Sequence, residues 1–160
     1  MIKRVIFLLC FLIHFLYPAD NTFRIIASAN INNEIDPCGW KKKPTGGLAR
    51  RATVIDEFAR NIKNHYIVDA GNLLFKKISL EPGVGGEIAR INADIILQSF
   101  DKIGCHAFSP GEKDFAAGKD FIVESSKNVS FPFISANIYD VDQELLFNPY
   151  IIYELKGINV

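Results

Sequence analysis

At 160 residues, 49% of them hydrophobic and 22% charged, the chain has material for about one domain. Its 18 basic and 18 acidic residues balance, and loss of a leader carrying Lys3 and Arg4 leaves 16 against 18, a formal charge of −2. That balance lacks the basic excess of nucleic-acid-binding domains, so no nucleic-acid partner is expected.

The first nineteen residues read as a targeting segment. Lys3 and Arg4 precede an apolar run from Val5 to Tyr17, too short for an ordinary membrane span, and Pro18-Ala19-Asp20 breaks it. This is the pattern of a secretory signal peptide cut near Ala19, although Tyr17 is a poor fit three residues before the cut. An uncleaved membrane anchor is the other reading, and only then would a membrane be a partner. Leu9 before Cys10 argues against a lipid anchor, since a small residue is wanted there. The expected location is periplasmic or extracellular, where a Cys38–Cys105 disulfide is allowed. Cys105 opens a predicted buried strand, so a buried free thiol is expected instead.

Phe23 to Ser28 is predicted as a first strand and residues 30–46 as a loop. Within that loop Lys41-Lys42-Lys43 reads as a solvated stretch rather than a phosphate-attracting patch. From Gly47, apolar residues at 48, 52, 55, 58, 59 and 62 have helical spacing, with Arg50, Arg51, Asp56, Glu57, Arg60 and Lys63 on the opposite face. Tyr66-Ile67-Val68 is a short strand ending at Asp69. Leu80 to Gly86 is a flexible connection; its glycines lack the Lys-Ser/Thr of a nucleotide-binding loop. A second helix carries Ile88, Ile91, Ile95, Ile96, Phe100 and Ile103 on one face and stops at Gly104. Cys105 to Phe108 is a third strand and residues 115–126 a third helix. Phe131 to Ile138 and Leu145 to Leu155 are read as later strands, with Asn148-Pro149 as a turn or an edge feature. Strands alternating with helices predict a layered α/β fold. In such folds functional residues sit on loops after the carboxyl ends of strands.

Three segments occupy such positions about forty residues apart: Ser28-Ala29-Asn30-Ile31-Asn32, Asp69-Ala70-Gly71-Asn72 and Gly111-Glu112-Lys113-Asp114. Asp36-Pro37-Cys38-Gly39-Trp40, Gly46-Gly47-Leu48-Ala49-Arg50-Arg51-Ala52-Thr53, Phe133 to Ile138 and Pro149 to Val160 add to them. In order and spacing these segments resemble the calcineurin-like metallophosphoesterases, in particular the secreted 5'-nucleotidases and UDP-sugar hydrolases. The resemblance covers about residues 23–160. It implies the N-terminal half of a layered metallophosphoesterase sandwich: a signal peptide over 1–19 and a partial domain over 20–160, truncated at its C-terminal end.

That family holds two divalent metal ions that activate water and orient a phosphate. By the resemblance, Asn30 stands where the family has an Asp ligand, Asn32 for a His, Asn72 for the bridging Asp, Glu112 for an Asn and Lys113 for the assisting His. An amide brings no charge and bridges poorly, and an ammonium repels metals. Metal binding is therefore expected to be weak or absent, with Lys113 nonfunctional as a catalytic group. Asp69 is read as orienting its loop, and Lys113 as free to pair with Glu112 or Asp114. His14 lies in the leader, His65 begins a strand and His106 lies inside one, so none is expected to restore the site. Trp40, where relatives often have a second Cys, is read as a packing residue.

The expectation is a secreted 5'-nucleotidase-like homologue, inactive alone as a phosphate-ester hydrolase. A nucleotide or phosphate ester is the ligand implied by the family. The alternatives are a one-metal phosphoesterase completed by a second chain that supplies the missing half, and a noncatalytic binding or redox module built on residues 36–43.

Overall fold

The computed structural model describes residues 23–39, 45–61, 64–155 and 158–160. The leader, Trp40 and Lys41-Lys42-Lys43 lie outside the described residues, as do Ile62 and Lys63. Three parallel strands form the sheet: β1 (Arg24–Ser28), β2 (His65–Asp69) and β3 (Ala107–Phe108), in the order β1-β2-β3. Their register pairs Ile26 with Ile67, Ser28 with Asp69, and Asp69 with Phe108. Parallel pairing puts all three carboxyl ends on one side of the sheet, so the loops after them meet there.

Helix α1 (Leu48–Asn61) joins β1 to β2, and α2 (Val84–Ile103) joins β2 to β3. Gly104 ends α2 in the left-handed conformation, φ 84°, with its N–H on Asp101 and Phe100 carbonyls. The long α2 of the sequence reading is present, but its buried face differs. Gly86, Ala93, Ile96, Leu97 and Phe100 are buried, whereas Ile88, Ile91 and Ile95 are exposed. At the start of α2 the chain folds back tightly, so that a Cβ on Gly86 would lie 2.4 Å from the Glu81 carbonyl oxygen. Two neighbouring apolar stripes satisfy the same period, and the one containing Ala93, Ile96, Leu97 and Phe100 is turned inward.

Arg51 also departs from expectation. Its guanidinium lies 4.5 Å from the centre of the Phe100 ring rather than on a solvated face. The aliphatic stem of an arginine can cover apolar surface, and its planar head can stack on an aromatic ring.

The third helix begins later than predicted. A 3-10 turn over Glu112–Phe115 precedes α3 (Lys119–Lys127), separated by Gly118 at φ 95°. The predicted later strands shrink to isolated bridges, Phe108 with Phe133, Ile134 with Asn148 and Tyr139 with Leu145. Pro132 and Pro149 supply no backbone donor, which interrupts longer ladders. A small antiparallel pair, β4 (Glu154–Leu155) and β5 (Ile158–Asn159), closes the described chain.

The core joins Leu73, Leu74 and Phe75 after β2 to Ile96, Leu97 and Phe100 of α2, and to Phe108, Ile122, Phe131 and Phe133. Phe108 and Phe133 meet edge to face with centroids 4.8 Å apart, a geometry that adds to area burial. Because Leu73, Leu74 and Phe75 are almost fully buried, the loop starting at Asn72 is anchored to the core.

Candidate functional site

The loop after β1 is built from residues that tolerate left-handed backbone. Asn30, Asn32 and Asn33 have φ of 58°, 53° and 63°, and Asn72 after β2 has 53°. Among residues with a Cβ, asparagine adopts this region comparatively readily. The loops zip together through Asn30 N–H to the Gly71 carbonyl (2.8 Å), Asn32 N–H to that of Asn72 (2.8 Å) and Asn33 N–H to that of Leu73 (3.0 Å). Asn33, itself buried, donates its side-chain amide to the Leu74 and Ala89 carbonyls at 2.6 and 3.0 Å.

Two buried carboxylates hold the frame from beneath. Asp69 accepts the Gly71 N–H at 2.9 Å and the Ser28 hydroxyl proton. Asp114 accepts the N–H groups of Asn72, Leu74 and Gly111, each at 2.7 Å. Burial pushes both carboxyls above the usual range, opposed by these hydrogen bonds and, for Asp69, by the Arg51 charge. The loops approach so closely that only glycines fit. A Cβ on Gly71 would sit 2.5 Å from Gly111 N, and one on Gly111 would sit 2.7 Å from Asn72 Oδ1.

On this frame Asn30, Asn32, Asn72 and Lys113 come together. The Asn72 side-chain amide donates to Asn30 Oδ1 at 3.0 Å, and Asn72 Oδ1 accepts the Lys113 N–H at 3.1 Å. The Lys113 ammonium donates to Asn32 Oδ1 at 2.9 Å. Asn32 in turn donates its side-chain amide to the Asn30 carbonyl at 2.6 Å. Glu112 is exposed and faces a separate open cleft of about 730 Å³ with Lys119, Tyr139 and Asp140. The expected pairing of Lys113 with Glu112 or Asp114 is absent among the described residues: Asp114 is turned inward onto backbone donors, and the ammonium is on Asn32.

The residues present do not fit a pair of divalent metals. No group of three or more His, Cys, Asp or Glu side chains converges among the described residues. Asn30 and Asn32 each present an amide oxygen already accepting a proton, the latter from the Lys113 ammonium. A dication about 4 Å from an ammonium would meet about 8 kcal/mol of repulsion at an effective dielectric near 20.

Beside Asn30 opens a cavity of about 300 Å³, lined also by Glu34, Cys38, Leu48 and Arg51. Arg51 Nε and Nη2 are buried with no hydrogen-bond partner among the described residues, and burial lowers the guanidinium pKa. Glu34 is held at 2.6 Å by Lys76. Cys38 is exposed and free; Cys105 is buried and free, its thiol pushed up to about 12 by burial. His106 packs edge-on against Tyr66 and Tyr153, beside Ile67 in mid-β2, its Nδ1 accepting the Ile67 N–H at 3.2 Å.

The anchoring role of Asp114 and the inward turn of Arg51 were missed from sequence. Gly111-x-x-Asp114 has the spacing of a capping box, a local signal for the first. The alternation of charges around α1 gave no signal for the second.

No family model matches the chain. It is 27% identical over 146 residues to a 5'-nucleotidase of Vibrio vulnificus, covering 90% of this chain and 25% of that protein. It is 30% identical over 116 residues to a 5'-nucleotidase of Vibrio cholerae, covering 71% of this chain and 20% of that protein. The chain thus spans a quarter or less of these curated relatives. Among solved structures it resembles the calcineurin-like phosphoesterase YfkN of Bacillus subtilis, with a TM-score of 0.65 and 24% identity over 85% of this chain and 44% of that one.

Proposed function

Because the chain belongs to the calcineurin-like metallophosphoesterase superfamily, we propose that it is an exported 5'-nucleotidase-like homologue without two-metal chemistry. The observation that carries this reading is the closed amide network. Asn32 Oδ1 is taken by the Lys113 ammonium at 2.9 Å and Asn30 Oδ1 by Asn72 at 3.0 Å. Two nearby dications require several anionic ligands to offset their repulsion, and these positions supply none. By family, the ligand is a nucleotide or another phosphate ester. The basic start and apolar run of residues 1–19 support export.

A second polypeptide segment completing the sheet is favoured by β1. Its outer edge is unpaired among the described residues and Ile25 is 58% exposed, the kind of edge that accepts another strand. Co-purification with a covering partner, and its loss on Ile25→Lys, would support this reading; a soluble monomer unaffected by that change would oppose it.

The test of the main proposal is metal content and phosphate release. The purified chain, stripped with chelator and returned to Mn²⁺ or Zn²⁺, is expected to retain far less than one ion per chain. It is also expected to release no phosphate from AMP. Restoring Asn30→Asp, Asn32→His, Asn72→Asp, Glu112→Asn and Lys113→His together should raise metal uptake. Stoichiometric metal in the unaltered chain, with turnover lost on Glu112→Ala, would overturn the proposal in favour of a one-metal hydrolase.

A further inference from the structure

We infer that His106 is an acid-sensitive latch: its neutral imidazole holds the β4–β5 hairpin on the sheet, and its protonation releases that hairpin while the rest of the fold persists. The inference does not depend on how the strand-end site is read.

His106 is tied to β2 twice. Its backbone N–H donates to the Ile67 carbonyl at 2.7 Å, and its Nδ1 accepts the Ile67 N–H at 3.2 Å. A side chain thus takes the acceptor's place in the ladder, one residue before β3 begins. Ile67 is 1% exposed, so water does not readily replace that acceptor. A ring nitrogen that accepts carries no proton, which puts the imidazole hydrogen on Nε2. A proton added at Nδ1 would set two N–H donors against each other.

The same residue carries the hairpin. Tyr153, the residue before β4, donates its hydroxyl to the His106 carbonyl. Its ring centroid lies 4.8 Å from that of Tyr66 and 5.8 Å from that of His106. Tyr66 and His106 meet edge-on at 4.9 Å. Tyr153 also exchanges backbone hydrogen bonds with Val160, at 2.9 and 2.8 Å, so its ring and the hairpin move together. A shift of the imidazole off Ile67 dislodges both packed rings, and withdrawal of Tyr153 bares the buried Tyr66.

The surroundings oppose a charge on His106. From β2 the His65 ring faces it at 6.3 Å. Phenols are uncharged at neutral and acid pH, as is the Cys105 thiol, pushed up to about 12 by burial. In the hairpin Glu154 is exposed, and in the last turn of α2 Lys102 is exposed and Asp101 is held by Ser130. No carboxylate lies in ion-pair range of His106 among the described residues. Aromatic faces attract an imidazolium, but here charging it removes the lone pair that Ile67 uses. Burial, then His65, lower the His106 pKa, against a hydrogen bond to the Gly104 backbone. The latch is therefore closed above about pH 6.5 and opens as pH falls through the lower folded value.

The experiment is NMR on the purified chain from about pH 7.5 to about pH 4.5, spanning histidine titration. It follows the His106 ring signal, the contacts between the Tyr66 and Tyr153 rings, and amide exchange at Ile67, with Leu97 and Phe100 reporting the core. Ring contacts should vanish and Ile67 protection fall about tenfold or more, with the midpoint of the His106 titration, while core protection remains. His106→Asn places an amide oxygen where Nδ1 sits and cannot charge, so its ring contacts should persist through acid. His65→Gln should move the midpoint to higher pH, and this is readable even where the asparagine variant fails to fold. Ring contacts that survive once His106 is charged overturn the inference. So does release at the same pH in folded His106→Asn. Loss of hairpin and core in one transition also overturns it, leaving ordinary acid unfolding. An unmoved midpoint in His65→Gln overturns the part given to the neighbouring imidazole.

Discussion

Replacing Asp114 by alanine removes one side chain on which three backbone donors converge. The carboxylate accepts Asn72, Leu74 and Gly111 N–H, each at 2.7 Å. Leu74 is fully buried, and an orphaned donor there costs about 1–3 kcal/mol. The Asn72 and Gly111 bonds are only part-buried, so water can take them over at about 1 kcal/mol each. The sum is roughly 3–5 kcal/mol, reduced toward about 3 because removing a buried charge relieves its own desolvation. For a domain of this size about 3 kcal/mol corresponds to a drop of about 10 °C in melting temperature. Circular dichroism would read the shift, and amide hydrogen exchange should show lost protection at Asn72, Leu74 and Gly111. Asp114→Asn keeps one acceptor oxygen but presents an NH₂ to a backbone donor, so an intermediate loss is expected. Melting of Asp114→Ala within about 2 °C of the parent, with exchange unchanged, would refute the anchoring role.

Gly71→Ala places a Cβ 2.5 Å from Gly111 N at φ 96°, and should destabilise by about 2–4 kcal/mol in denaturant titration; a neutral result would contradict the close packing of the two loops. His106 has its pKa lowered, by burial first and then by the His65 charge. Its contribution to stability is therefore present above the unfolded value near 6.5 and lost as pH falls through the folded value. His106→Gln should shrink the difference in melting temperature between about pH 7.5 and pH 5.5, and an unchanged difference would assign the effect to other groups. Of the two cysteines in the described fold, Cys38 should alkylate in the native protein at mildly alkaline pH, whereas Cys105, buried and with its thiol near 12, should react only after unfolding. Mass mapping would decide this, and equal native rates would contradict the burial of Cys105.

The layered α/β character was legible because strand and helix periods alternate in the chain, and so was the placement of Asn30, Asn72 and Lys113 on loops that follow strands. The buried face of α2 was not. Ile88, Ile91 and Ile95 keep the same period as Ile96 and Phe100, so periodicity alone does not decide which stripe turns inward. Arg51 was placed in solvent because residue type predicts exposure, while its position over Phe100 depends on α1 meeting α2. The asparagines were legible as lost charge. Their left-handed backbone was not, so their second role in shaping the loops emerges only from the dihedral angles. The later strands are shorter than the aromatic and β-branched residues suggest, reduced to bridges and β4, because prolines such as Pro132 cannot supply ladder donors.

Lys113 fixes its charge at the strand ends by covalent attachment. A coordinated ion is exchangeable, and its occupancy follows concentration, competing chelators and acidity in the surrounding medium. A lysine is present once per chain from synthesis onward and cannot be titrated away by scarcity. On the proposed function, the loop junction would carry its charge without a metal to load or lose. Its shape and melting behaviour should then be the same in chelator and in added Mn²⁺ or Zn²⁺.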